Sequence, residues 1–434
     1  MKIAIAGTGY VGLVTAVCLA HKGHMVTCVD VDENKIKMLQ SGKSPIYEND
    51  LEELMQQNTE RLTYTTDYLA AYKDADVIFI GVGTPEKKDG SANLTYVYEV
   101  AKQIAQSVEK DCVVVVKSTV PIGTNDKVEA ILQNEKVHDA ILEVASNPEF
   151  LAQGTAVRDT LHASRIVLGV ESKHAEDVLR EVYAGFEAPV LVTNRRSAEM
   201  IKYASNDFLA LKISYVNEIA NLCELVGADI QDVTAGMGLD PRIGPQFLNA
   251  GIGYGGSCFP KDTKALHWLA NFHDYEIKTV KAAIEVNEQQ KLKLIKKSRK
   301  YYDSLNGLHV AVLGLTFKPG TDDLREAPSL INIPIMLEEG AVVHAWDPAG
   351  VENFKKEMER YQEYDLNRIY YFNTPLEAVK NTDICFIFTE WPEVKNMQPE
   401  DFLTMNKGIV LDGRNCFSLN VMQREGIVYE SVGR

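Results

Sequence analysis

The 434-residue sequence has no uninterrupted apolar run near the roughly 18 to 20 residues that a membrane-crossing helix needs, which argues against a chain threaded through a bilayer on helices. It has no basic run either. Lys and Arg number 45 against 61 Asp and Glu, a net charge of −16, so nucleic acid and anionic membrane surfaces are not expected as partners. An anionic ligand would have to be gripped locally, by individual cations or backbone N–H groups. The opening MKIAIAGTG reaches glycine after too short an apolar run for a secretory signal, and a cytoplasmic protein is expected. Cysteine is scarce: seven residues, an odd number with no C-x-x-C pair, fit a reducing compartment rather than a disulfide framework. Cys18, Cys28, Cys112 and Cys385 lie in apolar runs such as CVVVV and DICFIF and read as small buried hydrophobes. The nine histidines are scattered without ligand spacing, so no metal is expected. Low-complexity tracts are missing too, and 45% hydrophobic with 24% charged residues is ordinary globular usage for two or three domains.

What is present begins with a βαβ unit. KIAIAGTGYVGLVTAVCLAHKGHMVTCVDVD runs strand, glycine turn, helix, Gly23 stop and second strand, with Asp30 at that strand's end. Gly7, Gly9 and Gly12 form G-x-G-x-x-G: the first allows a tight turn, the second lets backbone approach a pyrophosphate, the third lets helix pack on strand. Asp30, 18 residues past Gly12, is placed to accept from a ribose 2′-OH and to repel a 2′-phosphate, which favours NAD over NADP. DADVIFIGVGTP and DCVVVVKSTVP then read as buried parallel strands.

The C-terminal part repeats the plan. HVAVLG lies on KIAIAG, GAVVHAWD on GHMVTCVD, and NTDICFIF on DADVIFI, with Asp347 seven residues past Gly340 as Asp30 is past Gly23. In place of the glycine turn the second copy carries LTFKPGTDDLRE, so it should bind something other than NAD, and Lys318 and Arg325 suit an anion. Between the copies, Ser197 to Val226 runs without Pro or Gly and predicts one helix of about 45 Å, followed by a short helix and a loop.

That loop is GYGGSCFPKD. Pro260 suits the first turn of a helix, which puts Cys258 just outside a helix N-terminus beside Lys261, a setting that favours thiolate. A thiolate near a nicotinamide can add to an aldehyde, and the thiohemiacetal can lose hydride to give a thioester that water cleaves to an acid. The scheme needs a cation for the oxyanion and a carboxylate for the water. Asp262 and Lys261 are the nearest candidates. A simple alcohol dehydrogenase would stop at aldehyde and have no use for the thiol, and a non-catalytic nucleotide sensor would need no nucleophile.

GTGYVGL, VGTP, KSTVP, SNPEFLAQGTA, KYASNDFLA, DPRIGPQFLNAGIGYGGSCFPKD, GLTFKPGTDDLREAPS and LDGR, in that order, resemble the UDP-glucose/GDP-mannose dehydrogenases over nearly the whole chain. The resemblance implies two Rossmann-like doubly wound α/β domains with mainly parallel sheets, joined by a long central helix and a helical dimerisation region. The implied division is an NAD-binding domain at 1–196, a central helical domain carrying the cysteine at 197–300, and a UDP-sugar domain at 301–434. It implies oxidation of C6 of a nucleotide sugar with two NAD and one water. GGSCFPKD argues against N-acetylated sugars and RIGPQFLNAGIGYGGSCFPKD looks most like the UDP-glucose branch, with GDP-mannose or another nucleotide sugar the alternative. Cys258 would be the nucleophile, Lys202 would stabilise the oxyanion with Asn206 one turn on, and Asp262, Thr119 and Glu149 would manage proton and water. For NAD it points to Gly7, Gly9, Tyr10, Val11, Gly12, Asp30, Lys35, Thr84, Thr119, Lys261 and Arg325. For the sugar nucleotide it points to Glu149, Phe150, Leu151, Lys202, Asn206, Phe247, Leu248, Gly251, Tyr254, Gly255, Cys258, Phe317, Lys318 and Arg414. Arg242 would reach across from a second subunit, so a homodimer or larger homo-oligomer is expected. Two positions depart from the family pattern: Gln153 stands where Glu is usual, and LHASRIV where Pro-x-Arg is usual.

Overall fold

Strand order reverses once in each of two sheets, and those reversals organise the molecule. The computed structural model describes residues 1–434, which divide into two units, Met1–Ser205 and Asn206–Arg434.

In the first unit, β1 (Lys2–Ala6), β2 (Met25–Val29), β3 (Leu62–Thr65), β4 (Val77–Ile80), β5 (Cys112–Val116), β6 (Leu142–Ser146), β7 (Ile166–Gly169) and β8 (Val190–Thr193) form one sheet in the order β3-β2-β1-β4-β5-β6-β7-β8. All pairings are parallel except β6 with β7. The apolar runs VIFI and CVVVV are buried at every position because helices cover both faces of the sheet. Successive side chains of β1 go to opposite faces: Ile3 and Ile5 join one core cluster with α1 (Tyr10–His21), and Ala4 and Ala6 join another.

In the second unit, β9 (His309–Leu313), β10 (Val342–Trp346), β11 (Ile369–Tyr371), β12 (Ile384–Ile387), β13 (Ile409–Asp412) and β14 (Val428–Ser431) are ordered β11-β10-β9-β12-β13-β14, all parallel. This is the order of the first six strands of the other sheet. The sequence repeat is therefore a repeat of topology, and each unit has a switch point, between β1 and β4 and between β9 and β12, where open α/β sheets bind ligands.

The predicted long helix runs Arg195–Val226, 32 residues, starting two residues earlier than the apolar spacing suggested. Asn194 explains the difference, since its Oδ1 accepts from Ser197 N at 2.8 Å and caps the first turn. Gly227 ends it in a left-handed conformation, φ +77°. Its buried stripe is unexpectedly polar: Glu199, Lys202, Asn206, Asp207, Ser214 and Asn217 all lie on it. No helix is long and apolar enough to cross a membrane.

Candidate active site

The end of β1 feeds directly into α1, and the glycines there are a packing requirement. A Cβ on Gly12 would lie 2.0 Å from the Gly7 carbonyl oxygen, whereas one on Gly9 would meet nothing within 4 Å. The backbone of Gly9, the residue preceding α1, is thus open to a ligand at the positive end of that helix. Asp30, half-buried at the end of β2, accepts from Thr8 N at 2.9 Å and Thr8 Oγ1 at 2.6 Å, and from Asp32 N at 3.0 Å. Burial works to raise its pKa, but the Thr8 and Asp32 hydrogen bonds and the Lys35 charge outweigh it, and the carboxyl is held below its usual range. Val11 and Tyr10 open α1, with Tyr10 Oη donating to Tyr47 O at 2.5 Å; Thr84 Oγ1 ties the loop after β4 to Thr119 O after β5 at 2.8 Å. These residues line the switch-point edge of the first sheet, and an anionic carboxylate beside an open helix N-terminus fits NAD.

A second cluster of the first unit forms where β6 ends. Glu149, 6% exposed, accepts from Leu151 N at 2.8 Å and pairs with Lys202 Nζ at 2.9 Å. Two cations lie over the Phe150 ring, Arg165 at 3.8 Å and Lys202 at 5.5 Å from its centroid. Behind the pair, Lys117 of KSTVP is buried, donating to Asn147 Oδ1 at 2.8 Å. Burial pulls Lys117 down to about 8, with Glu149 acting upward and Lys202 downward. Sequence reading passed over Lys117, although it lies inside a motif already singled out.

In the second unit the loop before the cysteine is clamped on both sides. Gly251 N donates to Asn217 Oδ1 at 2.8 Å and Gln290 Nε2 to Gly251 O at 2.7 Å, while Asn287 exchanges hydrogen bonds with the backbone of Tyr254 at 2.8 and 3.0 Å. Arg414 Nη1 reaches Gly253 O at 3.1 Å. A Cβ on Gly255 would come within 2.6 Å of Glu326 O, so the chain passes under Phe317 and Glu326 only as glycine. The loop delivers Cys258 to the N-cap position of the helix Phe259–Phe272, with Pro260 in its first turn. Cys18, Cys28, Cys112, Cys223 and Cys385 are buried, and burial pushes Cys18, Cys28 and Cys112 up to about 12; Cys258 is partly exposed. Four residues on, Asp262 is 1% exposed and ionically held: Asn206 Nδ2 donates to one oxygen at 2.6 Å and Lys261 Nζ to the other at 2.6 Å. Phe247, at φ +63°, and Tyr254 pack edge-on to Phe259, and Leu248 is buried beneath. Lys318 Nζ stacks 5.6 Å from the Phe317 centroid.

Three groups stand out among the predicted residues: the glycine turn with Asp30, the Glu149–Lys202 pair, and Cys258 with Lys261, Asp262 and Asn206. Lys202 and Asn206 are on successive turns of one helix, so that helix carries a member of two groups. Arg242 joins none of them. It is 87% exposed and paired with Asp240 two residues away at 2.6 Å. Arg325 forks onto Asp323, with its Nη2 at 2.6 Å.

A dinucleotide turn with a strand-end carboxylate on a Rossmann sheet is the signature of an NAD-dependent dehydrogenase, and the second unit adds a partly exposed thiol at a helix N-terminus. The chain belongs to the UDP-glucose/GDP-mannose dehydrogenase family: the family's NAD binding domain matches residues 1–187, its central domain 196–289 and its UDP binding domain 311–419. It is 46% identical over 437 aligned residues to the UDP-glucose 6-dehydrogenase YwqF of Bacillus subtilis (strain 168), covering 100% of this chain and 98% of that one. It is 44% identical over 444 residues to the UDP-glucose 6-dehydrogenase of Rhizobium meliloti (strain 1021), covering both completely. The solved structure of a UDP-glucose dehydrogenase from Pyrobaculum islandicum matches with a TM-score of 0.90 at 36% identity, covering 97% of this chain and 95% of that one.

Proposed function

We propose that this chain oxidises C6 of UDP-glucose from primary alcohol to carboxylate, consuming two NAD and one water and releasing UDP-glucuronate, two NADH and protons. NAD takes one hydride in each oxidation. The alcohol loses hydride and a proton to become aldehyde; Cys258 thiolate adds to it, and the oxygen takes a proton to give the thiohemiacetal. Loss of a second hydride and that proton gives the thioester, and water cleaves it to acid while the thiol is restored. Lys202 stabilises the oxyanions, Asn206 supports it, and Asp262, Glu149 and Thr119 handle the proton and the water. The observation that carries the reading is a partly exposed thiol at a helix N-terminus whose first turn also holds a doubly bonded, buried Asp262. A purified preparation should yield two NADH per UDP-glucose, tested alongside GDP-mannose and N-acetylated nucleotide sugars. Cys258→Ser should lose acid formation by more than about a thousandfold while still binding UDP-glucose. One NADH per sugar, or acid made by the variant, would refute the scheme.

The functional division is then NAD binding at 1–196, the cysteine-bearing dimerisation region at 197–300 and UDP-sugar binding at 301–434. A homodimer is part of the proposal. Phe208, Tyr215 and Leu222 recur every seven residues along the long helix and are 62%, 50% and 53% exposed, an apolar stripe suited to a second copy of itself. Phe208→Glu should convert the dimer to monomer in sedimentation; a wild type that sediments as monomer would end the idea. The seven unpaired thiols support a reducing cytoplasm, which cell fractionation checks.

A further inference from the structure

The long helix carries a buried acid that the reaction scheme leaves idle. Asp207 is 4% exposed on the helix's buried stripe, and neither of its carboxyl oxygens has a hydrogen-bond partner. Asp262 is the opposite case, with Asn206 on one oxygen and Lys261 on the other. Burial without donors favours the neutral form of a carboxyl, and that sets Asp207 apart from Asp262. Burial first, then the Asp262 charge, raise the Asp207 pKa to about 8, with Lys261 acting downward. The other titratable neighbour is Tyr254 of the glycine loop. Burial first, with Asp207 and Glu288 of the helix Lys278–Gln290 adding to it, keeps that hydroxyl neutral at about 12.

We propose that Asp207 is a positioning residue for the oxidation: as the neutral half of a carboxyl pair it leaves Asp262 the single buried anion in the first turn after Cys258, and gain of a second charge there sets the alkaline limit of turnover. A second buried anion there would add like-charge repulsion in the first turn after Cys258 and oppose the negative charge that develops during the reaction. The inference rests on the function proposed above.

Asp207→Asn keeps the shape and removes the titration. Two readouts test it. The first is thermal stability against pH and needs no turnover. An acid whose folded pKa lies above its unfolded value of about 3.9 contributes fully below that value, and the contribution is lost as pH rises through the folded pKa. The variant should therefore gain in Tm over wild type progressively from pH 5 to about pH 8, and then hold a constant lead. The second is the ratio of kcat, variant over wild type, in which titrations common to both proteins cancel. It should be flat below pH 7 and rise about tenfold between pH 7 and pH 9 as wild type loses the neutral acid. A widening Tm gap with a pH-independent kcat ratio would leave Asp207 neutral but irrelevant to turnover and overturn the proposal. A constant Tm gap would overturn its neutrality. Absence of any NADH from wild type would sink the underlying function and this role with it, whatever the thermal result. Should the amide not fold, Asp207→Ala is read in the same two ways.

Discussion

Asp30 and Asp347 occupy the same place in two copies of one topology, and their surroundings have diverged. Asp30 is half-buried and receives three donors from Thr8 and Asp32. Asp347 is 4% exposed and receives six: Leu315 N, Thr316 N, Thr316 Oγ1, Ala349 N, Gly350 N and Trp391 Nε1. One carboxylate keeps open lone pairs; the other is consumed as the hub of its own turn. Nearby, Gly7 and Gly314 share a left-handed backbone, φ +97° and +94°, yet α1 starts three residues after Gly7 whereas the helix Ser329–Glu338 starts 15 residues after Gly314. The inserted loop carries Phe317 and Lys318 where the first copy presents a bare helix N-terminus. Duplicated topology thus gives both units the same switch point, and the donors around one acid distinguish the two turns.

Exchanging the treatment of the two acids sharpens the contrast. Asp347→Ala strands six donors and should lower folding stability by about 3 to 5 kcal/mol in denaturant titration. A loss under 1 kcal/mol would mean the hub is dispensable. Asp30→Ala should reverse the pattern, weakening NAD about 10- to 100-fold by calorimetry with a small change in stability. Equal damage to stability in both variants would erase the distinction between a ligand acid and a structural one. The smallest effect is in acid. Because the Asp30 pKa is depressed, its contribution is in place above the unfolded value near 3.9 and is lost as pH falls through the lower folded value. Asp30→Ala should therefore blunt the acid limb of stability below about pH 4 and leave the region from pH 5 to 8 unchanged.

Much of the site was legible before any coordinates. Glycine spacing, strand-end acids and a proline after a cysteine are local signals, since each constrains the backbone within a few residues, and Gly12, Asp30 and Cys258 all sit where such reasoning puts them. Lys117, Asp207, Asn287 and Gln290 escaped it. Each is a polar residue in or beside an ordinary strand or helix; three of them act on a partner 30 or more residues away, as with Lys117 and Asn147 or Asn287 and Tyr254, and Asp207 stands out for having no hydrogen-bond partner. Asp207 left one faint trace, an acid on a stripe that the helical period assigns to the interior.

Periodicity, turn chemistry and the repeated strand–turn–acid pattern were enough to establish two doubly wound halves, the dinucleotide turn of one of them and a cysteine at a helix N-terminus, because those features depend on interactions among near neighbours in the chain. Which acids keep open lone pairs, which lie buried without donors and which are spent on their own backbone came only with the folded chain. Charge state depends on desolvation and on donors brought from distant segments, and neither exists until the sheets and the long helix have packed.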